Sequence, residues 1–122
     1  MNYISTRETG VIAEAAAVQY LQAKNYEILC RNYFCRYGEL DIVARERGEL
    51  VFIEVRSQVP VPDVTILELL PVTKLLHLQR TIDYWLVAHD QLRTPWRFEF
   101  IGVTLSADLQ VLKIEHIPNP EL

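Results

Sequence analysis

The chain has 122 residues, half of them apolar and 23% charged, with only four glycines and six prolines. That composition excludes a disordered tail, a collagen-like repeat and a low-complexity linker, and it suits one domain able to bury roughly two-thirds of its unfolded surface. Twelve Lys and Arg against sixteen Asp and Glu give a formal charge of −4. Bulk positive charge therefore does not point to nucleic acid, although Arg31, Arg36, Arg45, Arg47 and Arg56 crowd into one stretch.

In chain order, residues 10–25 (GVIAEAAAVQYLQAKN) predict a first helix, with Ile12, Ala16, Tyr20 and Leu21 at helical spacing. Thr9 is the expected cap and Asn25 the expected stop. Residues 26–34 (YEILCRNYF), 38–46 (GELDIVARE) and 49–57 (ELVFIEVRS) read as three strands, broken by turns at Tyr37-Gly38 and Arg47-Gly48. The Pro-interrupted QVPVPD is a loop. A second long helix follows over 71–89, with Pro71 in its first turn and Leu75, Leu78, Ile82, Trp85 and Leu86 as its apolar stripe. Two more strands, 96–105 and 109–117, close the chain. The expected fold is α/β: one domain over residues 1–122, a mixed five-stranded sheet flanked by two long helices.

Cys30 and Cys35 are too few for a disulfide scaffold and lack metal-ligand spacing, so they read as small apolar residues. No apolar run approaches the roughly 20 residues of a membrane span and no signal-peptide pattern opens the chain, which gives a cytoplasmic, reduced protein as the expectation.

The informative stretch is residues 38–56. A hairpin about Arg47-Gly48 pairs Glu46 with Glu49, and in that register Leu40, Ile42 and Ala44 face Val55, Ile53 and Val51. That side is wholly apolar and predicts the core face. The other side pairs Glu39 with Arg56 as a cross-strand ion pair, and Asp41 with Glu54. Two opposed carboxylates repel at about 4.5–5.5 Å between Cβ atoms, so the register calls for compensation. A divalent cation, a shared proton, or splaying into solvent beside the arginines would each provide it.

The spacing of Glu14 on the first helix, GELD around Asp41 and FIEVR around Glu54 resembles the YraN-like family of bacterial proteins. That family is placed by resemblance in the PD-(D/E)XK, or restriction-endonuclease-like, nuclease superfamily, near archaeal Holliday-junction resolvases. The resemblance implies Asp41, Glu54 and the carbonyl of Val55 as ligands of one or two Mg²⁺ or Mn²⁺ ions, with Glu14 joining directly or through water. It implies DNA, branched or structured, as the partner, with Arg56, Lys74 and Arg36 as nucleic-acid contacts. The lysine usual two residues after the second acid is Arg56 here. Arginine keeps its charge, so Arg56 can steady a phosphate but cannot serve as a general base. Gln58 and Glu99 likewise stand where the family carries a basic residue and an aspartate.

His77, His89 and His116 are scattered without a ligand motif and read as structural or surface residues. Trp85 reads as core; Trp96, which opens a strand and could stack a base, reads rather as core packing or an edge position. The leading functional expectation is a metal-dependent nuclease with Asp41, Glu54, Glu14 and Arg56 at its centre. The alternative is a nuclease-fold module that has lost catalysis and binds nucleic acid or a protein. A homodimer formed through an exposed sheet edge or helix stripe is a third reading.

Overall fold

The structure is a computed structural model and describes residues 6–59 and 72–118. Most of the expected QVPVPD loop, and Pro71, lie outside those residues. Helix α1 (Thr6–Ala23) leads into strands β1 (Glu27–Cys35), β2 (Gly38–Glu46) and β3 (Glu49–Gln58). Helix α2 (Val72–Ala88) precedes strands β4 (Trp96–Leu105) and β5 (Val111–Pro118). The expected ranges of β2 and β4 are reproduced residue for residue. Helix α1 starts at Thr6, which places Thr9 inside the helix rather than at its cap. It stops where expected: Asn25 adopts φ 68, and the Tyr26 N–H reaches back to the Leu21 carbonyl at 3.0 Å. An asparagine tolerates that left-handed position and closes the helix end.

The sheet runs β1-β2-β3-β4-β5, antiparallel throughout except for the β3–β4 pair, whose crossover carries α2. The β2–β3 register matches the sequence reading from Glu46↔Glu49 to Ile42↔Ile53. The expected core face holds at Ile42, Ala44, Val51 and Ile53, and the opposite side is buried as well. Ile42, Ala44, Val51 and Ile53 pack with Ala13, Ala17 and Leu21 of α1, while Val43, Leu50 and Phe52 pack with Leu78, Ile82 and Trp85 of α2. The sheet is sandwiched between the helices, so its central strands are apolar on both sides, as strands covered on both faces must be. Trp96 joins the second cluster edge-to-face on Phe52, and Cys30 packs against the same cluster.

Leu40 breaks the alternation: it packs with Val43 on the α2 side instead of with Ile42. The cause lies opposite Asp41. Asn32 on β1 has φ 53, and the β1–β2 ladder pairs Arg31↔Ile42 and Tyr33↔Leu40 but not Asn32 with Asp41. One left-handed residue in a strand turns the next side chains to the other face. Tyr33 and Leu40 thus change sides together, and the sheet kinks at Asn32 and Asp41.

Candidate functional site

The kink positions the acids. The regular β2–β3 pairing ends at Ile42↔Ile53, so Asp41 and Glu54 do not face one another in the ladder as the extended register required. Instead the Val55 N–H donates to Asp41 Oδ2 at 2.9 Å. The expected Glu39–Arg56 ion pair is also replaced: Arg56 Nε lies 3.6 Å from Glu54 Oε1, within β3 itself. Glu54 projects to the α2 side and its side chain is 1% exposed, against 36% for Arg56.

Glu14 enters from the other side. It occupies the buried face of α1, one turn before Val18 and two before Leu21, and is itself buried. An acid on that face needs hydrogen bonds, and Arg31 Nε (3.1 Å) and Asn32 Nδ2 (3.0 Å) both donate to Glu14 Oε1. The kink residue Asn32 therefore ties α1 to β1. It was missed as a site residue in the sequence; a lone asparagine inside an otherwise β-prone run was the available signal.

Two depressions flank the kink. A cleft of about 430 Å³ on the α2 side brings Asp41, Glu54, Val55 and Arg56 together with His77 and Thr81 of α2. A second, of about 450 Å³ on the α1 side, is lined by Glu14, Arg7, Arg31 and Asn32. Glu39, Asp41 and Val55 border both. Of the residues singled out in the sequence, Asp41, Glu54, Val55 and Arg56 share one cleft, and Glu14 lies across the kink from them. Arg36 is exposed at the β1–β2 turn with its guanidinium 4.7 Å from the Tyr37 ring. Lys74 falls on α2, its side chain outside the described residues. His77, read as merely structural or surface, lines the cleft.

Among the described residues, no three His, Cys, Asp or Glu side chains gather closely enough to hold a metal as they stand. A magnesium-like ion asks for less: one or two carboxylates, with water and phosphate oxygens completing its shell. Asp41 and Glu54, bordering one cleft with Val55 between them and Arg56 alongside, meet that requirement with oxygen donors.

A second group of acids has a different character. Glu99 on β4 is 1% exposed and accepts from Tyr26 Oη (2.8 Å) and His116 Nε2 (2.8 Å) on Oε1, and from Arg97 Nε (3.0 Å) on Oε2. Nδ1 of the same imidazole lies 3.3 Å from the Tyr20 hydroxyl. Arg97 also bridges Glu46 (2.6 Å) and Glu49 (3.3 Å) at the β2–β3 turn. Burial alone would raise the Glu99 pKa, but the His116, Arg97 and Tyr26 hydrogen bonds outweigh it and hold the carboxyl below its ordinary value. Burial and the bond to Glu99 push Tyr26 up to about 12. Glu99 borders neither depression, so this departure from the family pattern leaves the charge beside Asp41 and Glu54 untouched. Gln58, the other one, lines a separate hollow with Ser57, Val59 and Leu105.

The model of the uncharacterised protein family UPF0102 matches residues 13–103, a span from the buried face of α1 through most of β4. The chain belongs to this family. A UPF0102 protein of Caldicellulosiruptor saccharolyticus is 34% identical over 116 residues, covering 95% of this chain and 98% of its own. One from Roseiflexus castenholzii is 38% identical over 106 residues, with 86% of each chain covered, and one from Thermotoga petrophila is 40% identical over 92 residues, covering 75% of this chain and 82% of its own. The UPF0102 match takes in Glu14, Asn32, Asp41, Glu54, Arg56 and Glu99 alike. No helix among the described residues is long and apolar enough to cross a membrane.

Proposed function

We propose that this UPF0102 protein is a metal-dependent phosphodiesterase of the PD-(D/E)XK type acting on nucleic acid, with branched or structured DNA as the expected substrate. The observation that carries the reading is the meeting of Asp41, Glu54 and Val55 on one cleft where β2 and β3 leave their common ladder. The resemblance of GELD and FIEVR to the superfamily's motif supports it. Asp41, Glu54 and the Val55 carbonyl would hold Mg²⁺ or Mn²⁺, with Glu14 reaching the ion through water from the neighbouring depression. Bound there, the ion would lower the pKa of a water and offset charge growing on the phosphate. The Val55 N–H fixes one Asp41 oxygen and so orients its carboxylate. Arg56, always charged, would steady a phosphate oxygen and hold Glu54 in place.

A second reading is favoured by Arg56 itself. A lysine can shed its proton and help activate water; an arginine cannot, so the same cleft would then bind nucleic acid without cleaving it. Calorimetric titration with Mg²⁺ and Mn²⁺, with and without a short DNA duplex, tests the shared core of both. Wild type should bind metal and Glu54→Gln should not. Absence of binding by wild type under every condition would overturn the metal site.

A further inference from the structure

We propose that Asn32 is the positioning residue of the candidate metal site: its left-handed backbone brings its amide onto Glu14, and that contact fixes the α1 carboxylate across the kink from Asp41. The inference rests on the metal-site reading above and goes beyond it by naming the residue that joins the acid of α1 to the acids of the strands.

Side chains alternate along a strand, so Arg31 and Asn32 should point to opposite faces of the sheet. They do not: Arg31 Nε and Asn32 Nδ2 donate to the same oxygen, Glu14 Oε1, at 3.1 and 3.0 Å. Two successive strand residues can meet there because Asn32 adopts φ 53, which breaks the alternation at that step. The residue type fits both demands. Glycine would accept this backbone but bring no donor, and an ionised aspartate would bring only acceptors against Glu14. Asparagine tolerates the left-handed region and carries an N–H.

Its place in the fold supplies the second observation. The β1–β2 ladder pairs Arg31↔Ile42 and Tyr33↔Leu40 and skips the step between them, where Asn32 stands opposite Asp41. Asn32, Glu14, Asp41 and Val55 all line the depression on the α1 side. Asn32 is itself exposed, so its contact fills no core; what it holds is a carboxylate only 11% exposed. Among the described residues both donors fall on Oε1, which leaves Oε2 of Glu14 as the oxygen that can serve an ion's water. A strained residue beside a candidate site whose side chain orients one of the acids is what a positioning role requires.

Calorimetric titration of the full chain with Mn²⁺, with and without a short DNA duplex and well below the melting temperature of every variant, tests this alongside thermal melting. Asn32→Gly keeps the left-handed backbone and removes the amide. It should melt close to wild type yet bind Mn²⁺ roughly 10- to 100-fold more weakly. Asn32→Ala loses the amide and disfavours φ 53 as well, so it should lose at least as much affinity and also melt at a lower temperature. The loss should run through Glu14: Glu14→Ala itself weakens Mn²⁺ binding, and adding Asn32→Gly to it should change the affinity no further. Wild-type Mn²⁺ affinity in Asn32→Gly would overturn the proposal and leave the metal site standing. Wild-type affinity in Glu14→Ala, or an undiminished further loss on adding Asn32→Gly to that variant, would overturn it equally. Failure of wild type to bind Mn²⁺ in either condition would remove the metal site and this inference together.

Discussion

Glu54 and Glu99 sit on neighbouring parallel strands, each with a side chain 1% exposed, yet their surroundings differ. Glu99 faces α1, takes hydrogen bonds from Tyr26, Arg97 and His116, and borders neither of the depressions at the kink. Glu54 faces α2, lies 3.6 Å from Arg56, and opens on a cleft shared with Asp41. Burial alone is thus no guide to which acid borders a cleft. What separates the two is their setting: Glu99 closes a network of donors on the α1 side, whereas Glu54 lines a space that a ligand can enter.

The sharpest way to break that contrast is to remove the framework acid. Glu99→Ala leaves Tyr26, His116 and one edge of Arg97 facing an apolar gap, and should cost about 3 kcal/mol or more in urea denaturation, near the figure for breaking a buried pair. In the fraction that remains folded, metal and DNA binding should be unchanged. A wild-type denaturation midpoint would mean that the network is decoration.

The same network sets an acid limit. The Glu99 carboxyl is held below its ordinary value, so between the two states the unfolded chain binds the proton first as pH falls. The stabilisation is complete above the unfolded pKa of about 4.3 and is lost as pH drops through it toward the folded value. Denaturation midpoints taken from pH 7 down to 3 should decline at the acid end, and Glu99→Gln should flatten that decline. An identical slope in the variant would assign acid sensitivity to other carboxylates.

Much of this architecture is legible in the residues, because the β2–β3 register follows from one turn and a period of two. What was not legible has two sources. The apolar run of β3 (LVFIEV), interrupted by a single acid, is what a strand covered on both sides requires, but its alternation does not say which helix covers which side. The kink at Asn32 is a backbone event: nothing in side-chain periodicity announces φ 53 on a residue inside a strand. The β2–β3 ladder stops one pair short of Asp41 and Glu54, so these acids share a cleft without facing one another as a ladder pair. Glu99 was noticed only as a departure from a pattern, since Tyr26 and His116 lie 73 and 17 residues away and no local spacing links them.

A smaller effect on the fold, and a large one on binding, is expected at the kink. Asp41→Asn keeps an amide oxygen to accept the Val55 N–H, so stability should stay within about 1 kcal/mol of wild type, the scale of one altered hydrogen bond. A gain would indicate that the two acids repel in the metal-free protein. Mg²⁺ or Mn²⁺ binding should disappear, since a neutral amide is a poor substitute for a carboxylate on a hard cation. Metal affinity equal to wild type would move the ligand role away from Asp41 and leave Glu54 and Glu99 less different than their surroundings suggest.

Arg56 offers the finest discrimination. Its side chain is 36% exposed and its ion pair with Glu54 spans 3.6 Å, so Arg56→Lys should change stability by no more than ~0.5 kcal/mol, as for other partly solvated pairs. Activity is where the two side chains part. Lysine can release a proton next to Glu54 while arginine stays charged, so the variant should hydrolyse DNA faster than wild type if proton transfer at this position limits the rate. Equal rates would mean that the position serves the phosphate through charge alone. Cleavage by the lysine variant and none by wild type would show that the cleft retains its metal-binding acids while the arginine holds the chain to binding.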